Sequence, residues 1–321
     1  MAFNFSLALT RRVRAGPHPA ARGGAAAGWD TYRRRTFVLG LVPALAVLIA
    51  TTLVPAVYLV VTSLTPLTPV NPATAFDFSA PWQNYVAAFT DARFLHSLWI
   101  QVQLSLVTVT LQLAVGLGLA LLLDLPSRLI GALRTGFLLP MVLPPIVVAI
   151  IWKVLFTPDV SPLHHALAAI GLPVHSLITN GGTALWAIAF ADTWDWFPFT
   201  MLMLLAALQM VPREPIEAAT IDGAGSLQMF WYVRLPYIRQ ALVVTAIFRL
   251  IDSIKAFPLI YILTDGGPAR ATEVTNYFAF VQTFNFSYWG YGSAIATLMV
   301  AGVLILSLLI NRLGTDGGLD H

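Results

Sequence analysis

Five ionisable side chains interrupt otherwise apolar sequence in two places. Asp192 and Asp195 lie in the run Asp192-Thr193-Trp194-Asp195-Trp196. Arg249, Asp252 and Lys255 follow one another at i, i+3 and i+6, roughly one face of a helix. Three are acidic and two basic, so their charges nearly cancel. Ionised groups in apolar surroundings are costly, gather on interior faces, and pair with one another or line a path for polar solutes. Two readings of the five stand side by side. In the first, Asp192 with Lys255 and Arg249 with Asp252 form buried pairs that fix helix register. In the second, some of them line a path for a polar solute and bind it while Trp194 or Trp196 stacks on it, the usual pairing of an aromatic wall with a few polar groups. A third use of the same groups is proton coupling through Asp192, Asp195 or Asp252. Other chemistry has little to work with. The chain has no cysteine, and His164 and His165 have no acidic or cysteine companions nearby, so no metal site and no catalytic residue is expected.

A second stretch carries function of another kind. It runs from Met210 to Tyr237 and includes Glu217-Ala218-Ala219-Thr220-Ile221-Asp222-Gly223, ending at Val233-Arg234-Leu235-Pro236. Pro215 suits a first helical turn, where its missing N–H costs nothing. Glu214 and Glu217 then sit toward the positive end of the helix dipole. Gly223 and Gly225 permit a sharp bend. Leu227, Phe230, Trp231 and Leu235 form an apolar stripe at helical spacing, and Pro236 is expected to close the element. The physical reading is an amphipathic knob tethered between two long apolar segments. An ordinary interfacial helix, with Glu217 as a dipole-favoured charge, fits the same residues.

The elements that must hold these residues follow from composition. Apolar residues make up 58% of the chain and charged residues 10%, against about 45–50% and about 25% in soluble domains. Lipid is the solvent such a sequence needs. A spanning helix takes about 20 apolar residues, and six stretches qualify: Phe37–Thr62, Leu95–Leu123, Thr135–Phe156, Thr183–Gln209, Ile238–Thr264 and Trp289–Asn311. Arg11, Arg12, Arg14, Arg22, Arg33, Arg34, Arg35, Arg128, Arg134, Arg213, Arg234, Arg239 and Arg312 fall on one side of this topology, and Arg93 and Arg270 on the other. Positive charge stays on the cytoplasmic side, so both termini are expected there. The positive net charge is thereby accounted for without nucleic acid. The expected domains are a basic, disordered cytoplasmic tail over 1–36, a six-span domain over 37–311 with the inner loop at 210–237, and a short tail over 312–321.

The spacing Glu217-Ala218-Ala219, three residues, Gly223, nine residues, Val233-x-Leu235-Pro236 resembles the signature loop of binding-protein-dependent ABC importer permeases. Val233 stands for the usual isoleucine, and Gln240 stands where many members carry a second proline. The resemblance implies an all-α integral membrane fold of six transmembrane helices, with both termini cytoplasmic in a bacterial inner membrane. It implies that the loop docks in a cleft of a separate ATPase, with Glu217 toward basic groups there and Ala218, Ala219 and Gly223 allowing close approach. Asp222, Leu235 and Pro236 belong to the same coupling set. The segment Leu263-Thr264-Asp265-Gly266-Gly267-Pro268, followed by Thr272, is similar to the outer-loop motif of carbohydrate-type members. The partners so implied are an ATPase dimer, a second permease subunit and an external solute-binding protein. The sequence holds no Gly-x-x-x-x-Gly-Lys-Ser/Thr phosphate loop. ATP and magnesium are therefore expected on the partner, with no cofactor in this chain. A proton-driven secondary transporter is the competing reading, but such folds often carry internal repeats, and no convincing repeat relates the two halves.

Overall fold

The computed structural model describes residues 40–125, 127–171 and 175–315. The expected basic tail over 1–36 lies outside them, as do residues 316–321 of the expected C-terminal tail. Among the described residues the regular structure is helical, apart from one isolated bridge between Thr68 and Asn71. Contacts divide the chain into two units, Met1–Val57 and Tyr58–His321. The described part of the first unit belongs to helix α1, Gly40–Ser63, which passes through a π-helical stretch at Ile49–Leu53. There Thr51 and Thr52 donate to the carbonyls of Val47 and Leu48, a local bond of the kind that bends helices.

The second unit continues with α2 (Gln83–Thr90), α3 (Ala92–Leu123), α4 (Arg128–Phe137), α5 (Leu139–Val142), α6 (Pro145–Phe156) and α7 (Pro162–Ala169). Then come α8 (Gly181–Gln209), α9 (Arg213–Ile221), α10 (Ser226–Gln228), α11 (Leu235–Ser253), α12 (Phe257–Leu263), α13 (Thr275–Phe280) and α14 (Trp289–Thr315). Three described helices, α1, α3 and α14, are long and apolar enough to cross a membrane on their own, and α8 joined to α9 makes a fourth such unit, bent by 77°. Asp91 caps α3 by accepting from the Arg93 amide at 2.8 Å. At its other end the Arg134 guanidinium donates to the Leu123 carbonyl at 2.5 Å, so a side chain satisfies one of the last carbonyls.

Two expected spans are not single helices. The stretch Thr135–Phe156 is divided among α4, α5 and α6 because Leu143 and Pro144, each preceding a proline, take extended backbone with ψ of 140° and 139°. The stretch Ile238–Thr264 is divided between α11 and α12. Pro258 has no N–H to give the carbonyl four residues back, that of Ile254. That carbonyl instead accepts from the Asn276 side chain at 2.8 Å. Buried polar side chains satisfy freed carbonyls in this way where water is absent. A third departure concerns Pro236, which does not close an element. Helix runs from Ser226 through a π-helical stretch, Met229–Arg234, into α11 with Pro236 in its first turn. The wider turn accommodates the missing N–H.

Helices α3 and α8 form the most extensive contact of the fold. At their crossing, a Cβ added to Gly116 would lie 2.6 Å from the Thr200 methyl and 2.9 Å from the Met201 backbone nitrogen. Close approach through a small residue is how helices associate in lipid, where burial of apolar surface supplies little driving force. One apolar cluster joins Leu104 of α3, Trp152 of α6, Ile188 of α8 and Ile260 of α12. A second joins Leu123, Leu204, Leu208, Val211 and Ile238, with Ile216 of α9 and Leu235 of α11 packed against it. The outward faces of α3 and α14 keep leucines such as Leu106 and Leu308 exposed, as a lipid-facing surface does.

Candidate functional site

Four of the five charges, Asp192, Asp195, Arg249 and Asp252, gather between α3, α8 and α11. Arg249 is fully buried. Its Nε donates to Gln112 Oε1 at 2.8 Å, its Nη1 to Asp252 Oδ2 at 3.1 Å, and its guanidinium lies 4.4 Å from the Trp196 ring centroid. Gln112 in turn donates through Nε2 to Asp192 Oδ2 at 2.8 Å and to the Asp192 carbonyl at 3.1 Å. The amide therefore joins a cation on α11 to a carboxylate on α8, presenting its oxygen to one and its N–H to the other. Asp195 is buried on the same helix as Asp192.

Of the two pairings expected from spacing, Arg249 with Asp252 forms and Asp192 with Lys255 does not. Lys255 falls in the break between α11 and α12, is 69% exposed, and reaches Asp252 at 3.5 Å. The interruption turns it out of the face that continuous helix would have given it. Trp194 takes another place, edge-on to Trp152 with centroids 5.6 Å apart, in the apolar cluster around α6. Gln112 is the member that charge patterning passes over, because it is neutral and stands in a different helix. Its signal is that of an amide inside an apolar run.

A second polar seam lies on α3 and α11. Ser253 Oγ donates to Ser105 Oγ at 2.8 Å, and Gln101 Nε2 donates to Ser105 Oγ at 3.1 Å.

The loop over residues 210–237 is built from α9 and α10. Pro215 lies in the first turn of α9 together with Glu214, while Glu217 is in its second turn and exposed. The helix ends at Gly223, whose φ is +78°. The Gly223 amide donates to the Thr220 carbonyl at 3.1 Å and the Ala224 amide to the Ala219 carbonyl at 2.9 Å. This double bond pattern is a Schellman cap, which favours glycine at the left-handed position. Gly225 keeps ordinary extended backbone with φ of −70°, and its amide donates to Gln228 Oε1 at 2.9 Å. Arg234 lies 3.4 Å from Asp124 at the end of α3. Ile216 and Leu235 thus hold the loop on the bundle from within, while Ile221 at 86% and Tyr232 at 80% exposure face away from it. Ala218 and Asp222 share that exposed side, and Ala219 is half-buried.

The Gly266-Gly267-Pro268 segment is a tight, self-bonded turn. Gly266 has φ of +77°, and an added Cβ there would lie 2.6 Å from the Tyr277 ring. The Thr272 hydroxyl donates to the Gly267 carbonyl at 2.7 Å. Tyr277 donates to Asp265 Oδ1 at 2.8 Å, and burial together with this carboxylate pushes the tyrosine hydroxyl pKa up. Nearby, Arg93 forms two bonds to the buried Glu273 carboxylate, at 2.9 and 2.5 Å, with its guanidinium 5.2 Å from the Phe278 ring centroid. Sequence reasoning passed over this pair because its partners lie far apart in the chain.

Residues 112–315 match the family described as the binding-protein-dependent transport system inner membrane component. The chain belongs to this family. The Gln112 cluster, the loop around Glu217 and the Gly266-Gly267-Pro268 turn fall inside the matched segment, whereas Arg93, Gln101 and Ser105 precede it. The trehalose/maltose transport system permease protein MalF of Thermococcus litoralis is 35% identical over 184 residues, 57% of this chain and 62% of the relative. The alignment thus spans about three fifths of that relative's length. The sulfoquinovosyl glycerol transport system permease protein SmoG of Agrobacterium fabrum is 34% identical over 274 residues, 85% of this chain and 88% of the relative. In fold, the chain is similar to a subunit of a bacterial alginate ABC transporter, with a TM-score of 0.76 at 18% identity over 91% of this chain and 98% of that one.

Proposed function

We propose that the chain is the transmembrane permease subunit of an ATP-driven ABC importer, passing a sugar, polyol or sugar-like solute from an external binding protein into the cytoplasm by alternating access. In this reading α1, α3, α4 to α6 together, α8, α11 with α12, and α14 make six spans of a bacterial cytoplasmic membrane. The arginine asymmetry of the sequence supports cytoplasmic termini. An ATPase dimer carrying ATP and magnesium, a second permease subunit and a solute-binding protein complete the assembly. The named solutes of the permease relatives, trehalose, maltose and sulfoquinovosyl glycerol, support the carbohydrate class.

The observation that carries this reading is the inner loop. Helix α9 is bent by 77° away from α8, ends on a glycine cap, and exposes Glu217, Ala218 and Ile221 while Ile216 and Leu235 fix its other side to the span ends. A short helix with a rigid mount and an exposed mixed face suits docking in a groove of another protein. Movement of that partner would then reach the spans as a rigid-body shift. The polar cluster around Gln112, with Asp192, Trp196, Arg249 and Asp252, lies between spans that such a shift would slide.

The test is the double substitution Glu217→Ala with Gly223→Val in the complex reconstituted in proteoliposomes. Coupling free energies of about 1–3 kcal/mol correspond to about 5–150-fold effects. Uptake should fall within that range while membrane insertion stays intact and ATP hydrolysis loses its response to loaded binding protein. Unchanged uptake overturns the coupling role of the loop.

A further inference from the structure

A cavity of about 690 Å³ opens where α2, the end of α3 near Asp91, and the first turn of α14 meet. It lies apart from the Gln112 cluster and the inner loop, and its lining differs from both. Gln282 and Asn84 both line it, at only 7% and 8% exposed. The Asn84 amide nitrogen donates to the Ser63 and Thr65 carbonyls at 2.9 and 2.8 Å, which fixes its orientation. Its oxygen has no hydrogen-bond partner among the described residues, and neither has the Gln282 amide. Both side chains thus keep amide atoms open to the cavity, able to bond a polar ligand there. Gln83 adds a third amide, exposed at the cavity edge.

The remaining lining narrows the ligand's chemistry. Among the described residues, Asp91 is the one carboxylate in the wall, and no lysine, arginine or histidine lines it. Its oxygens already accept from the Arg93 amide at 2.8 Å and from the Tyr291 hydroxyl at 3.0 Å. An anion would meet this carboxylate unopposed. Tyr288 and Tyr291 contribute ring surface. Amides give donors and acceptors side by side, as hydroxyl groups require, and aromatic rings cover the apolar face of a sugar. The volume suits a small molecule, whose sites span about 300–1,000 Å³. The frame is rigid: the Gly290 amide donates to the Leu67 carbonyl at 2.9 Å, and an added Cβ would lie 2.1 Å from the Thr65 carbonyl oxygen.

We infer that this cavity is a binding site for a neutral polyhydroxyl solute, separate from the charged cluster between α3, α8 and α11. Gln282 and Asn84 supply its buried hydrogen bonds and Gln83 its outer one. Under the importer reading it faces the extracytoplasmic side and would hold the solute before it enters the spans. The side it faces rests on that reading, while the binding itself does not.

The experiment uses the full chain purified in detergent micelles, without ATPase or binding protein, so that failure of transport and failure of binding are read separately. Maltose, trehalose, glycerol and sn-glycerol 3-phosphate serve as probes in saturation-transfer nuclear magnetic resonance titrations. At least one neutral probe should saturate, and sn-glycerol 3-phosphate should not. Losing one neutral hydrogen bond weakens binding by about threefold to tenfold. Gln282→Leu and Gln83→Ala should each show a loss of that size. The Gln83 variant changes an exposed side chain and guards against misfolding of the buried one. The inference is overturned if no neutral probe saturates the wild-type chain, if both variants bind unchanged, or if the phosphate binds as well as the sugars.

Discussion

Gln112 decides how Arg249 and Asp192 are held. Fully buried on α3, it bonds Arg249 of α11 through its oxygen and Asp192 of α8 through its nitrogen. Leucine at this position keeps the volume and removes both bonds. Stranding a buried polar partner costs about 1–3 kcal/mol, although bonds between membrane helices average nearer 0.6 kcal/mol because the alternative state also finds partners. With two partners stranded at once, Gln112→Leu should destabilise by about 1–3 kcal/mol, read as a lower midpoint of thermal unfolding in detergent. An unchanged midpoint would show that water or a relaxed rotamer replaces the amide. The charges themselves were legible in the sequence, because Asp192, Asp195, Arg249 and Asp252 are conspicuous in apolar runs. So was the pairing of Arg249 with Asp252, but the partner of Asp192 was not. Equal depth in two spans pointed Lys255 toward Asp192, but the chain breaks at Lys255 and a neutral residue from a third helix takes its place.

Two of the long apolar helices were readable almost to the residue. The stretches Leu95–Leu123 and Thr183–Gln209 correspond to α3 and α8, which begin at Ala92 and Gly181 and end where expected. The prolines were harder, because their consequence depends on what lies beside them. Pro198 sits inside α8 without dividing it, whereas Pro258 accompanies a break whose freed Ile254 carbonyl is taken by Asn276. Sequence shows the proline and not the neighbour. The α3–α8 crossing gives the clearest element-scale prediction. Gly116→Ala places a methyl 2.6 Å from a Thr200 side chain and 2.9 Å from backbone, so the two helices must separate. Overpacking of this kind costs about 1–3 kcal/mol. Gly118→Ala, with nothing within 4 Å, removes a helical glycine at no steric cost and should stabilise slightly. Size-exclusion profiles and unfolding midpoints of the pair separate the two cases. Equal behaviour would mean that the crossing is looser than its geometry.

At the scale of the molecule, family membership rests on matched sequence, but the side on which each loop lies rests on charge asymmetry. That part of the reading is open to a direct measurement, because the chain has no cysteine of its own. Val70, 89% exposed between α1 and α2, and Ile221, 86% exposed at the end of α9, are both apolar surface positions that take a small thiol without loss of packing. Their proposed sides are opposite: Val70 follows the first proposed span and Ile221 belongs to the loop proposed to dock the ATPase. In spheroplasts, Val70→Cys should react with a membrane-impermeant maleimide at once, and Ile221→Cys only after the membrane is permeabilised. Adding the ATPase subunits should then slow labelling of Ile221→Cys in permeabilised membranes, since docking covers α9, and leave Val70→Cys unaffected. Labelling of both from the same side sinks the six-span orientation. Opposite sides without ATPase protection keep the topology and remove α9 as the docking element. The two failures are separable because span orientation depends on arginines distributed through every inner loop, whereas docking depends on one short helix and its glycine cap.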